Sequence, residues 1–221
     1  MKVARRTNRL ISMHFSVVCL AGFASAGCDD GPVATLPDGG AVDAHVAIEG
    51  PDHGIDSFDP RCTAPTWTPG ACAPGMGTPQ DPAGQQHIPD DQAITYALSP
   101  PATGNHRGAW ARWGAYTTLP PQRWLHNLEH GGVVFLYHPC TSAEEVARLQ
   151  AIVDALPEDA RWILTPYPDL PAAIGVVAWG WSYLASCVQP DEITTFFEQH
   201  EGMGPEDVAA DGAYDVSWLG R

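Results

Sequence analysis

The stretch "WLHNLEHGGVVFLYHP", residues 124–139, places two histidines and a glutamate within five residues and follows them with a Gly-Gly pair and an apolar run. Because residues at i, i+3 and i+4 share one face of a helix, a helical turn separates its polar from its apolar side chains. The apolar arc holds Trp124, Leu125 and Leu128, and the polar arc holds His126, Glu129 and His130. Gly131 can adopt the left-handed conformation that ends such a turn, so we expect a buried strand to follow at 132–137.

The sequence beyond this strand has regular periodicity. Residues 141–157 open with two overlapping capping-box patterns, Thr141 with Glu144 and Ser142 with Glu145, and continue with apolar residues at helical spacing. Further elements are predicted as strands at 93–98, 161–168 and 173–184 and as a helix at 190–200. This order predicts an α+β fold in which two helices pack on one face of a small, largely antiparallel sheet, behind an N-terminal half rich in Pro and Gly.

The chain is strongly acidic, with 26 Asp and Glu against 11 Lys and Arg in 221 residues. Four of the eleven basic residues lie in the first ten positions, so the rest of the chain carries seven. A nucleic-acid-binding surface needs Lys and Arg to displace counterions from phosphates. The composition therefore argues against a nucleic acid as partner.

The N-terminus combines a basic segment, "MKVARRTNRL", with an apolar stretch that ends in small residues, which is typical of a secretory signal over residues 1–27. The sequence "ASAGCDD" around Cys28 resembles a bacterial lipobox, in which the cysteine is lipidated and becomes the new N-terminus. Ser25 stands where that motif usually has leucine, so ordinary cleavage near the same point is the alternative. The lipobox predicts an exported lipoprotein that acyl chains hold at the membrane, facing the periplasm or the cell exterior.

The remainder of the chain divides into a tether and one domain. Residues 28–58 are rich in Gly, Pro, Ala and Asp and poor in the large apolar side chains that a core needs, which predicts a flexible, acidic tether. Residues 59–221 are long enough for a single globular domain. No segment after the signal has the length and apolar character of a membrane-spanning helix.

Four cysteines remain once Cys28 and the cysteine of the signal are set aside, namely Cys62, Cys72, Cys140 and Cys187. An even set in an exported chain predicts two disulfides, with three possible pairings. The favoured pairing joins Cys62 to Cys72 across a turn-rich loop and Cys140 to Cys187. A zinc ion held by cysteines is the rival explanation, but the chain has no Cys-x-x-Cys pair to support it.

Candidate metal ligands are four histidines that fall within 44 residues, His87, His106, His126 and His130. Imidazoles at i and i+4 beside a carboxylate are a familiar way to present metal ligands. We expect His106, His126 and His130 to be the three core ligands of one site. The fourth ligand is either His87, which is favoured, or Glu129. Copper, as a monovalent or divalent ion, and divalent zinc both suit imidazole ligands outside the cytoplasm. The alternative is that each histidine is an ordinary hydrogen-bonded core residue.

These residues also carry a family resemblance. The segments "HIPDDQAITYALSPPATGNHRGAWARWGAY", "HNLEHGGVVFLYHP", "ILTPYPDLPAAIGVVAWGW" and "GPE" resemble the bacterial family called domain of unknown function 3105. The resemblance covers about residues 85–206 and departs modestly at the turn "PPATGNH", where Asn105 replaces the usual proline. It implies that all four histidines occupy motif positions of the family. It implies no activity, because the family name supplies none.

Three functions are compatible with the sequence. The first is an extracytoplasmic lipoprotein domain that binds copper or zinc. The second is a metal-dependent enzyme in which Glu129 acts as general base. The third is a structural or partner-binding surface lipoprotein without metal, whose protein partner the sequence does not identify. The letters His-x-x-Glu-His at 126–130 also occur in inverted zinc proteases, but the Gly-Gly pair ends the helix at once, which argues against that class.

Overall fold

The structure is a computed structural model that describes residues 61–62, 65, 67–68, 72–73 and 75–221. The predicted signal at 1–27, the lipidation site at Cys28 and the tether at 28–58 lie outside the described residues. Within the described part, no helix combines the length and the apolar character that crossing a membrane requires.

The described residues contain three helices and seven strands in one sheet. The helices are α1 (Pro121–Glu129), α2 (Ala143–Asp154) and α3 (Pro190–His200). The strands are β1 (Met76–Pro79), β2 (Gly114–Tyr116), β3 (Val133–Tyr137), β4 (Trp162–Pro166), β5 (Ile174–Ala178), β6 (Trp181–Ala185) and β7 (Trp218–Gly220). Their order across the sheet is β1-β6-β5-β3-β4-β2-β7.

The fold is α+β, but the sheet is mixed, so the prediction of a largely antiparallel sheet was wrong. β3 runs parallel to β4, and β4 runs parallel to β2, whereas the other neighbouring strands are antiparallel. The cause is the crossover through α2, because a helix between two strands returns the chain to the end of the sheet from which it started. The strand–helix–strand order at 132–168 is therefore a βαβ unit.

Two predicted strands also differ from the structure. The segment predicted at 173–184 is a hairpin, in which β5 and β6 are joined by a tight turn that contains Gly180 at a φ of +75°. The segment predicted at 93–98 is irregular. Its Tyr96 hydroxyl donates a hydrogen bond to Asn105 O at 2.8 Å, so this side chain packs over a loop, whereas Leu98 is exposed.

The sheet is buried on both faces, and β3 shows this most clearly. Val133 and Phe135 belong to one apolar cluster, and Val134 and Leu136 belong to a second one, as expected when successive side chains of a strand point to opposite faces. The first cluster includes buried residues of the two longer helices, Leu149, Val153, Ile193, Phe196 and Phe197. The second includes the apolar arc of α1, Trp124, Leu125 and Leu128.

Helix α1 ends as its sequence predicts. Gly131 has a φ of +84°, and its N–H donates to Leu128 O at 2.9 Å, while the Gly132 N–H donates to Asn127 O at 2.8 Å. These two bonds form the Schellman motif, which satisfies carbonyls at a helix C-terminus. Gly132 is required for a second reason, because a Cβ there would lie 2.4 Å from the Trp113 ring. The Gly-Gly pair thus fixes where the polar arc stops and where β3 starts.

All four predicted cysteines form disulfides, but the favoured pairing was wrong. The bonds join Cys62 to Cys140 and Cys72 to Cys187, with Cα–Cα distances of 4.7 and 5.2 Å. The sheet explains the second bond, since β1 pairs antiparallel with β6 and so brings the residues before β1 beside those after β6. The disulfides therefore connect the N-terminal segment to the sheet, and they do not close a local loop.

Candidate metal centre

The polar arc of α1 is buried beneath loops. His126, Glu129 and His130 are only 2–3% exposed, so the helix has protein on both its faces. Charged and polar groups are rarely buried to this degree without a partner. Their partners therefore define the chemistry of this region.

The loop that carries His87 and His106 covers this arc. These two residues form an isolated parallel bridge, in which the Ile88 N–H donates to His106 O at 2.8 Å. The loop after His87 is held by the fully buried Arg107, whose guanidinium donates to Pro89 O at 2.5 Å. His106 is fully buried, whereas the His87 side chain is 52% exposed.

Backbone carbonyls fix the orientation of two imidazoles. His106 Nδ1 lies 2.9 Å from Gly104 O, and His126 Nδ1 lies 2.7 Å from Arg107 O. A carbonyl oxygen only accepts hydrogen bonds, so each Nδ1 must carry the proton and donate it. In a neutral ring the opposite nitrogen, Nε2, is then a bare lone pair. A histidine that binds a metal through Nε2 usually donates its other ring N–H to a carbonyl or carboxylate in this way.

The Nε2 atoms converge on the Glu129 carboxylate. The distances from Glu129 Oε2 are 3.0 Å to His106, 3.7 Å to His87 and 4.0 Å to His126. One donor atom from each of these four residues lies within 4.8 Å of all the others. Two nitrogen ligands of a tetrahedral zinc ion lie roughly 3.3 Å apart, because each is about 2.0–2.1 Å from the metal. The four side chains therefore have dimensions suited to a single cation.

Burial keeps the two buried imidazoles of this group neutral. Desolvation lowers the pKa of His126 to about 3, against a partly opposing hydrogen bond from its ring to Arg107 O. Desolvation is also the largest cause of the lowered pKa of His106, although the Gly104 carbonyl and Glu129 act in the opposite direction. Neutral Nε2 lone pairs thus face the lone pairs of carboxylate oxygens, an arrangement that a cation or a proton between them would stabilise.

His130 lies in an adjoining group rather than with the other three histidines. Its Nε2 is 3.1 Å from His126 Nε2 and 3.3 Å from Glu206 Oε2. Glu129, His130 and Glu206 form a second set of possible ligands that shares Glu129 with the first set. Glu129, rather than His130, therefore lies with His87, His106 and His126 in the first set of possible ligands.

The end of α1 is held in place by the loop that contains Glu206. The Glu206 N–H donates to Glu129 O at 2.9 Å, and the Gly202 N–H donates to Gly131 O at 2.8 Å. Gly204 approaches so closely that a Cβ on it would lie 2.3 Å from Glu129 O. These contacts satisfy carbonyls that a helix C-terminus leaves unpaired.

The family comparison covers the whole of this region. A family model described as protein of unknown function (DUF3105) matches residues 87–212, which include all four histidines, Glu129 and Glu206. The chain belongs to this family. The match confirms the resemblance expected from the sequence, and it covers more than half of the chain. A comparison with curated proteins and a comparison with solved structures each found no significant match.

In this member of the DUF3105 family, every residue of the motif "HNLEHGG" has a structural partner. Asn127 is fully buried, and its side chain binds the backbone of Ala111 twice, by accepting from N–H at 2.9 Å and donating to O at 2.8 Å. Leu128 belongs to the second apolar cluster. Asn127 thus joins α1 to the loop at 108–113, a role that sequence analysis did not predict.

Three residues near the site were not predicted from the sequence. Arg107 holds the His87 loop, Glu206 faces His130, and the Trp110 ring packs 4.5 Å from that of His130. The only signals were indirect: Arg107 directly follows His106, and Glu206 lies in the "GPE" segment of the family resemblance.

Proposed function

We propose that the domain binds a divalent transition-metal ion, zinc or copper, through His87, His106, His126 and Glu129. One observation carries the proposal. The carbonyls of Gly104 and Arg107 fix the Nδ1 protons of two buried imidazoles and so direct their bare Nε2 atoms toward a buried carboxylate.

A shared proton is the competing explanation, and it accounts for fewer of the contacts. A proton between His106 Nε2 and Glu129 Oε2 would satisfy the 3.0 Å contact. It would not account for the Nε2 atom of His87, 3.7 Å from the same carboxylate. It would also leave His126 Nε2, 4.0 Å from the carboxylate, to accept only the hydrogen bond from His130. A cation accepts all four donors at once, which supports the metal over the proton.

The donor set bears on the identity of the ion. Three imidazole nitrogens and one carboxylate oxygen contain no sulfur, and soft thiolate or thioether ligands are what favour monovalent copper. The set therefore supports zinc or divalent copper over the monovalent ion. This is narrower than the sequence expectation, which left both oxidation states open.

The contacts of Glu129 favour a role as ligand over a role as general base. Its side chain is almost fully buried and lies 3.0 Å from His106 Nε2. A general base must reach the proton that it abstracts from a substrate. The proposal is therefore a binding domain, and the enzyme remains the alternative hypothesis.

The location belongs to the same proposal. Two disulfides are compatible with an extracytoplasmic protein, since disulfides persist in oxidising compartments. The N-terminal sequence supports export and lipidation at Cys28, with the membrane as partner through the acyl chains. Recovery of the Cys28→Ser variant from the membrane fraction, like the parent, would argue against the anchor.

Metal analysis of the exported chain tests the binding proposal. We expect at least one tightly held zinc or copper ion per chain after exposure to the metal and dialysis, and we expect His106→Gln and His126→Gln to lose it. His200→Gln is the matched control, because His200 lies in the last turn of α3 and packs against Phe196, outside the proposed ligand set. If circular dichroism shows that the parent protein is folded but it binds neither zinc nor copper, the binding proposal fails. The structural or partner-binding function would then be the one supported.

A further inference from the structure

Beside the proposed metal site lies a second set of possible ligands, of which the first ion uses Glu129 but not His130 or Glu206. His130 is 3% exposed, and its Nε2 faces Glu206 Oε2 at 3.3 Å. The three donor atoms of Glu129, His130 and Glu206 lie within 4.8 Å of one another. Glu206 itself is open to solvent, with a side chain that is 56% exposed.

Binding of the first ion changes the hydrogen bonding of His130. Because His126 Nδ1 donates to Arg107 O, His126 Nε2 is an acceptor, and the 3.1 Å contact between the two Nε2 atoms requires His130 to donate. An ion at the first site takes the lone pair of His126 Nε2. The bond from His130 to His126 then has no acceptor, and the two nitrogens are left 3.1 Å apart.

The tautomer of His130 can respond to that loss. His130 Nδ1 is buried and has no hydrogen-bond partner among the described residues. Unlike His106 and His126, this imidazole has no carbonyl in the described part of the chain that holds its proton on Nδ1 or on Nε2. Its Nε2 can therefore present a lone pair toward Glu206 once His126 no longer accepts from it.

We propose that Glu129, His130 and Glu206 form a second divalent cation site, with Glu129 bridging the two ions. The inference rests on the proposed first site. Two-metal sites hold their ions about 3.5–4 Å apart, a spacing that one shared carboxylate spans. Two carboxylates and one imidazole make a harder donor set than the first site has, so manganese(II) and zinc are suitable ions. The exposed Glu206 makes this the weaker site, and it fills second.

Metal titration of the exported chain, stripped with a chelator and then titrated with zinc, tests the second site. We expect two ions per chain, the second bound more weakly, and a single ion per chain in Glu206→Gln and in His130→Gln. Glu206→Gln keeps the backbone bond from residue 206 to Glu129 O, so the fold is retained. Glu198→Gln, which removes the same charge from an exposed position of α3, is the control and should still bind two.

A spectroscopic measurement separates a shared site from two distant ones. Two copper(II) ions bridged by one carboxylate couple magnetically, so the electron paramagnetic resonance signal of parent protein should be much smaller than its copper content predicts. Glu206→Gln should recover the full signal of one isolated copper(II). Parent protein that saturates at one ion overturns the second site and leaves the first intact. Two uncoupled copper ions also overturn the bridge, and no binding at all refutes the proposed function itself.

Discussion

Residues 121–200 and residues 75–120 differ in what holds them in place. The first region contains the three helices and four of the strands, and its apolar side chains fill both faces of the sheet. The second contains two short strands, and it depends on polar contacts with the first, such as those between Ala111 and Asn127. Each region supplies two of the proposed ligands. Helical spacing positions His126 and Glu129 locally, whereas His87 and His106 need partners from elsewhere, and an ion would join the regions.

The largest expected effect is on the covalent bond that ties Cys72, just before the second region, to Cys187 in the first region. Cys72 and Cys187 are 115 residues apart in the chain, so their bond strongly restricts the unfolded state. We expect Cys72→Ser/Cys187→Ser to lower the free energy of unfolding by roughly 2–5 kcal/mol in urea denaturation. Peptide mapping without reductant should recover Cys72 linked to Cys187. A Cys62–Cys72 peptide would instead show that the N-terminal segment closes on itself.

The polar connection should come next. Asn127→Ala leaves the buried N–H and carbonyl of Ala111 without partners. Each orphaned group costs about 1–3 kcal/mol, so we expect a loss of about 3 kcal/mol in the free energy of unfolding. Asn105→Ala is the control, because it removes a side chain that accepts one exposed hydrogen bond, from the Gln86 N–H, among the described residues. Equal losses in the free energy of unfolding of the two variants would mean that the hydrogen bonds between Asn127 and Ala111 do not stabilise the fold.

Much of the first region was predictable from the sequence because local patterns determine it. The Ser142 hydroxyl accepts from Glu145 N–H as the capping box requires, and Gly131 is left-handed as the end of α1 requires. The disulfide pairing and the parallel strands were not predictable, since they depend on contacts between distant segments. The site falls between these cases. The sequence named four histidines as candidate ligands, whereas the grouping of Glu129 with His87, His106 and His126 depends on contacts between distant segments.

Removal of the ion should loosen the second region more than the first. The backbone N–H groups of Ile88 and His106 donate hydrogen bonds across the isolated bridge between His87 and His106. Their amide exchange should slow when zinc is added. At free zinc 100 times the dissociation constant, the stabilisation is about 2.7 kcal/mol. The first turn of α2, which can open without releasing the ion, is the internal control. If the amide exchange rate of Ile88 is the same with and without bound zinc, the His87 loop is not stabilised by the ion.

The smallest expected effect is the change in the free energy of unfolding when the metal-free protein is acidified near neutrality. The folded pKa of His126 is lowered by burial to about 3, below its ordinary value of 6.5, so the unfolded chain binds more protons between these values. Stability therefore falls as the pH falls from 6.5 toward 3, and His126 contributes about 0.7 kcal/mol between pH 7 and pH 6. Urea denaturation at both pH values, in the parent and in His126→Gln, measures this difference. A pH dependence that His126→Gln leaves unchanged would contradict the neutral, buried imidazole.

Anomalous diffraction from crystals of the exported chain grown with zinc, measured on both sides of the zinc absorption edge, tests the central claim most directly. The account predicts an anomalous peak about 2.0–2.1 Å from the Nε2 atoms of His106 and His126, with Glu129 and His87 completing the coordination. A difference map without a peak among these side chains, with His106 and Glu129 still joined by a hydrogen bond, would contradict it.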